Sequence, residues 1–153
     1  MSSSTIGIIS DTHGTLYPLA LQALEGVDAI IHAGDIVVPE HISQLATIAP
    51  LTIVRGNMDR AAELARIPLS QTLRIGGADF YVIHILEDLD IDPATAGFAA
   101  VVFGHSHVPI CQQQNGLWML NPGSASYPRG GTRHSLMRVG IQDRVLTPVL
   151  IEL

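Results

Sequence analysis

The sequence predicts an α/β protein in which two β-sheets pack together with helices outside. Three observations carry this. The first third alternates strand-like and helix-like segments, the second half is rich in hairpin signals, and 153 residues suffice for one substantial core. No repeat, linker or low-complexity tract divides the chain, so residues 1–153 are read as one domain.

In order, Thr5 to Ser10 is a β-branched run and Leu16 to Leu24 has apolar residues at helical spacing. Ala29 to His32 predicts a second strand, and Pro39 to Ile48 a helix with proline at its start, where the missing N–H costs little. Leu51 to Val54 predicts a third strand. Buried strands alternating with helices predict a parallel sheet with helices over it.

The second half reads differently. Gly76-Gly77 separates Thr72–Ile75 from Phe80–Ile83, and Asn115-Gly116 separates Ile110–Gln113 from Leu117–Leu120. Both dipeptides accept positive φ and suit two-residue hairpin turns. Ala100 to Phe103 predicts another buried strand, and Leu136–Val139 is expected to pair with Val145–Ile151.

Only 14% of residues are charged and 47% are apolar, against roughly a quarter charged in an average soluble domain. So little charge to cover a surface predicts a homo-oligomer, a dimer or tetramer. Net charge is −6, and all eight basic residues are Arg without a cluster. That excludes nucleic-acid binding by charge alone. A single cysteine, Cys111, excludes an internal disulfide. With no leader-like N-terminus and no apolar run of roughly 18 residues, a cytoplasmic protein without membrane association is expected.

The chemistry-bearing residues follow the buried strands. Asp11-Thr12-His13-Gly14 follows the first, Gly34-Asp35 the second and Gly56-Asn57-Met58-Asp59 the third. His84 ends Tyr81-Val82-Ile83, and Gly104-His105-Ser106-His107 follows Val101-Val102-Phe103. Carboxyl ends of strands form the ligand crevice of open α/β sheets. Imidazoles and carboxylates without thiolates suit Mn, Fe, Zn or a mixture. There are too many donors for one tetrahedral ion. Asp11–His13 and His105–His107 are expected to direct alternate side chains to one side of an extended segment.

The ordered set D-x-H, G-D, G-N-x-D, strand-end His and G-H-x-H resembles the calcineurin-like metallophosphoesterase superfamily. Chain size and Asn121-Pro122-Gly123-Ser124 make it similar to the compact prokaryotic YfcE-like phosphodiesterase branch, over about Ile6 to Ser124. The resemblance implies a four-layer α/β/β/α sandwich of two mixed sheets and a site for two divalent metals. Mn2+ is the first choice, with Fe, Zn, Ni or Mg as alternatives. It implies Asp11, His13 and His107 on one metal, Asn57, His84 and His105 on the other, and Asp35 bridging. Asp35, Asn57 and His105 would act through the metals and the phosphoryl oxygens. The implied reaction is attack by a metal-bridging hydroxide on the phosphorus of a small phosphodiester.

Two departures from the family pattern matter. Met58 stands where the family often has His, and a thioether has no proton to give a leaving group. That predicts a preference for good leaving groups. Asp59, which would orient that His, is then expected to be structural. The fourth motif reads His84-Ile85-Leu86 where the branch usually has H-G-H, so one wall of the site is expected to be more apolar. These departures sustain a rival reading as a weakly catalytic interaction scaffold, like the retromer subunit of this fold; a phosphomonoesterase or nucleotide hydrolase is a third.

Of the remaining residues, His32 is expected to hydrogen-bond behind the ligands and His41 to face solvent, while His134 opens a late strand. Arg55, Arg60 and Arg129 are candidates for phosphate contacts or plain surface charge. The Asn121–Ser124 loop is expected to shape the site from beneath.

Overall fold

The computed structural model describes residues 3–153; Met1 and Ser2, on which the reading of the N-terminus partly rests, lie outside the described residues. The strands are β1 (Ser3–Ile9), β2 (Ala29–His32), β3 (Leu51–Ile53), β4 (Ser70–Ile75), β5 (Ala78–Ile83), β6 (Ala100–Val102), β7 (Ile110–Gln114), β8 (Leu117–Asn121), β9 (Ser135–Gln142) and β10 (Val145–Glu152). The α-helices are α1 (Pro18–Ala23) and α2 (Glu40–Ala46). One five-stranded sheet has the order β10-β9-β1-β2-β3 and the other β4-β5-β6-β8-β7.

Both sheets are mixed. β1, β2 and β3 run parallel, and the β9–β10 hairpin joins them antiparallel through β9. In the second sheet β5, β6 and β8 are parallel, with β4 and β7 antiparallel at the edges. The expected turns at Gly76-Gly77 (φ 60° and 78°) and Asn115-Gly116 (φ 52° and 83°) have both central residues at positive φ, the type I′ requirement. A third turn at Asp143-Arg144 adopts the same sign without any glycine (φ 52° and 68°).

Period-two alternation makes the layers. Ile6 and Ile8 of β1 face Phe80, Val82, Val102 and Leu120 of the other sheet, forming the central core. Ile9, on the opposite face, packs with Leu24 and Leu45 against the helical side. The outer face of the second sheet, with Val101 and Phe103, is covered near Leu86 by a short 3₁₀ turn, Leu86–Asp88. The helical layer there is thus reduced to a 3₁₀ turn among the described residues, and the architecture is an α/β sandwich of two mixed sheets with few helices.

The helices are shorter than the apolar spacing suggests. Pro18 holds Tyr17 extended (φ −70°, ψ 147°), because a residue before proline clashes in the α region. α1 therefore starts at Pro18 and not at Leu16. α2 stops at Ala46, ahead of the Ala49-Pro50 step, by the same restriction. Arg138 of β9 reaches over to donate to Ala23 O (2.8 Å) and Glu25 O (3.0 Å), tying down the end of α1. Among the described residues no helix is long and apolar enough to cross a membrane.

Candidate metal centre

The chain positions its chemistry where five parallel strands end. β1 leads to Asp11 and His13, β2 to Asp35, β3 to Asn57, β5 to His84, and β6 to His105 and His107. Asp11, His13 and His107 offer donor atoms within 4.8 Å of one another, and so do Asp35, His84 and His105. Asn57 Oδ1 lies 3.1 Å from His84 Nε2 and 3.2 Å from His105 Nδ1. All seven predicted side chains are brought to one place.

The backbone does this differently from the sequence expectation. Asp11, His13, Asp35, His105 and His107 all have positive φ, between 46° and 74°. Both donor positions of D-x-H and of H-x-H are therefore left-handed, while Thr12 and Ser106 between them are not, and the expected extended segment is corrected. Such conformations cost roughly 1–2 kcal/mol each for non-glycine residues. They persist only where surrounding contacts fix them. Here Asp11 N–H donates to Gly34 O (3.0 Å), His13 N–H to Asp35 O (2.9 Å) and Ser124 Oγ to Asp11 O (2.7 Å).

Each aspartate commits one oxygen to the protein and turns the other inward. Asp11 Oδ2 accepts from Ser10 Oγ (2.6 Å) and His105 N–H (3.0 Å). Its Oδ1 is buried without any hydrogen-bond partner, 3.3 Å from His107 Nε2 and 3.6 Å from His13 Nε2. Asp35 Oδ1 accepts from Met58 N–H (2.8 Å), while Oδ2 faces His84 Nε2 at 3.1 Å and His13 Nε2 at 3.4 Å. Asp35 Oδ2 thus lies between the two clusters.

The histidine tautomers are set from behind. His84 Nδ1 lies 2.7 Å from Ala33 O and His107 Nδ1 2.6 Å from Tyr127 O. A carbonyl only accepts, so each Nδ1 carries its proton and each Nε2 lone pair faces the centre. His13 Nε2 and His107 Nε2 then approach to 3.1 Å. An orphaned buried carboxylate oxygen ringed by imidazole nitrogens is a donor set that fits divalent cations.

The carboxylates and imidazoles shift one another. Burial pushes the Asp11 pKa up, but His107 and His13 outweigh it and hold the carboxyl well below its usual range. Burial likewise opposes ionisation of Asp35, and His84 with the Met58 N–H reverses that. Burial lowers His84, yet Asp35 and Asp11 leave it raised; Asp11 raises His107.

Supporting residues complete the centre. The Asp59 carboxylate, 6% exposed, accepts N–H bonds from Asp35 (2.9 Å), Val37 (2.7 Å) and Gly56 (2.7 Å). It is a brace between the loops after β2 and β3. Asp59→Ala is expected to cost about 3 kcal/mol or more by stranding these donors, read as a lower urea midpoint at unchanged m-value. Gly34 (φ +107°) lies beneath His84, where a Cβ would come within 2.7 Å of the ring Cγ. Gly56 allows the Asp35 backbone to approach, a place any Cβ would fill. Asn121 Nδ2 donates to Gly104 O (3.1 Å) and Ser106 Oγ (3.2 Å), so the Asn121–Ser124 loop supports the β6 loop from beneath.

His32 is completely buried, taking the Gly34 N–H on Nδ1 (3.1 Å) and meeting Thr12 Oγ1 with Nε2 (3.0 Å). It joins the Asp11 and Asp35 loops. Burial pushes its pKa down to about 4. As pH falls below the ordinary 6.5, the unfolded chain takes this proton first, so stability is lost until the folded ring also titrates near 4. The loss reaches about 3 kcal/mol. Ring-proton NMR should show His32 neutral down to that pH; a midpoint near 6 would contradict this account.

His41 is half-exposed on α2, with its Nδ1 buried and without a hydrogen-bond partner. His134 stacks on Tyr17 with ring centroids 5.7 Å apart. Arg129 lines an open groove with His13, His107 and Tyr127, and Arg55 lines a cavity on the Asn57 and His84 side; Arg60 is exposed. The groove's Tyr127, edge-on to His13 at 6.0 Å, was missed because nothing local in the sequence ties it to the distant D-x-H motif.

Comparison with known proteins places the chain in a family. The chain is 31% identical over 135 residues to a probable metallophosphoesterase of Methanothermobacter thermautotrophicus, covering 81% of this chain and 78% of that one. It is 27% identical over 148 residues to the phosphodiesterase YfcE of Escherichia coli, covering 80% and 79%. Its fold matches Vps29 of Chaetomium thermophilum with a TM-score of 0.83 at 19% identity, covering 97% of this chain and 88% of that one. The calcineurin-like phosphoesterase superfamily domain model matches residues 5–144, and the chain belongs to that family.

Proposed function

We propose that the protein is a phosphodiesterase working with two divalent ions, manganese being the first choice. In this reading Asp11, His13 and His107 would hold one ion and Asn57, His84 and His105 the other, with Asp35 shared between them. The observation that carries it is the division of labour in the two carboxylates: Oδ2 of Asp11 and Oδ1 of Asp35 are tied to the protein, and the opposite oxygens face imidazoles. When bound, the ions supply Lewis acidity toward phosphoryl oxygens and a nucleophile from water at neutral pH. The chain's own part is to fix donor directions through Ala33 O, Tyr127 O, Ser10 and Asp59. Met58, 38% exposed, offers no proton to a departing alkoxide, which favours diesters with good leaving groups.

The test is chelator-stripped protein assayed on bis(4-nitrophenyl) phosphate with and without added manganese. Turnover is expected to depend on manganese, with about two equivalents bound. Protein that binds the metal and turns nothing over would favour the scaffold reading, which Met58 and the fold likeness to Vps29 support. A homo-oligomer is part of the same proposal: the edge strand β10 exposes Val145 (65%), Val149 (49%) and Leu150 (36%). Light scattering giving a monomer mass would remove it.

A further inference from the structure

Beside the Asn57 and His84 end of the centre lies a cavity of about 430 Å³. Its apolar lining is Leu69, Tyr81, Ile83 and Ile85, and Asp88 and Asp90 line it as well. Leu69 is 60% exposed although it is a large aliphatic side chain. Tyr81 is held edge-on by Phe98, with ring centroids 5.4 Å apart. The segment that supplies these two carboxylates is acidic, with Glu87, Asp88, Asp90 and Asp92 all exposed within six residues. The one arginine in the lining is Arg55, whose guanidinium donates to Ala65 O (3.3 Å).

We infer that this cavity receives one ester group of the substrate, and that the group is an uncharged aromatic ring. The inference rests on the phosphodiesterase reading and narrows its substrate class. Apolar walls opening directly onto a polar centre are how small-molecule sites divide binding from chemistry. A ring entering between Leu69, Tyr81 and Ile85 loses apolar surface to protein. The carboxylates select by repulsion, since a second phosphate or a carboxylate on that group would enter a lining that carries Asp88 and Asp90. Diesters with a single negative charge are accepted, and nucleic-acid strands and pyrophosphate-bearing groups are rejected. The groove on the other side, with Arg129, carries no such acidic border and is left for the second ester group.

The experiment uses three non-hydrolysable probes on manganese-loaded protein by isothermal titration calorimetry: methylphosphonate, phenylphosphonate and 4-carboxyphenylphosphonate. Phenylphosphonate is expected to bind at least about tenfold more tightly than methylphosphonate. The 4-carboxy group is expected to weaken phenyl binding about fivefold, a loss that an Asp88→Asn/Asp90→Asn variant removes. Leu69→Gln, at an exposed position that folding does not need, brings the phenyl-to-methyl ratio toward one. Equal affinity for methyl- and phenylphosphonate would overturn the cavity assignment while leaving the metal centre standing. Failure of all three to bind, together with absence of hydrolysis, would overturn it along with the parent reading.

Discussion

Asp35→Asn is expected to fold normally and to lose on the order of a thousandfold in kcat/KM on bis(4-nitrophenyl) phosphate. The amide keeps an oxygen to accept the Met58 N–H at the Oδ1 position, so the loop after β3 retains its hold. What is lost is the negative oxygen that faces both His84 and His13. In the proposed centre no other side chain takes part in both clusters, so metal affinity and turnover should fall together. Thermal melting within a few degrees of the parent, with turnover gone, is the expected pair of readings. Activity within tenfold of the parent at saturating manganese would remove Asp35 from the reaction.

The second large effect is a gain. Met58→His should raise hydrolysis of dialkyl phosphodiesters by about a hundredfold while changing aryl diesters little. The position follows Asn57 directly and is 38% exposed, so an imidazole fits without displacing core. A poor alkoxide leaving group needs a proton in the transition state, whereas 4-nitrophenolate departs without one. The gain stays below the upper end of general-acid effects because Asp59 is already committed to three backbone N–H groups and is not free to orient the new ring. The alkyl-to-aryl ratio of kcat/KM measures it. A ratio unchanged by the substitution would mean that leaving-group protonation does not limit this reaction.

Asp35 and Met58 are both visible in the sequence, and the residues that support them show what a linear reading misses. Asp35 announces itself through Gly34 and the strand before it. Asp59 does not: its spacing from Asn57 fits an orienting role, and only the fold reveals that its carboxylate spans two loops. His32 is similar. Its sequence context places it behind the site, but the bond to Thr12 and the complete burial depend on β1 and β2 lying side by side. The hairpins were legible because Gly-Gly and Asn-Gly carry their φ preference locally, while Asp143-Arg144 turns without such a signal because the paired strands β9 and β10 impose it.

By itself the sequence determined the strand runs, two of the three hairpin turns and the set of donor-bearing residues at strand ends. Those depend on side-chain periodicity and local backbone preference, which are properties of neighbouring residues. Only the tertiary structure decided that five donors sit on left-handed backbone, that β9 and β10 complete the first sheet, and that an acidic, apolar-walled cavity adjoins the centre. Each of these arises from contacts between segments far apart in the chain, whose combined packing overrides what any one segment prefers.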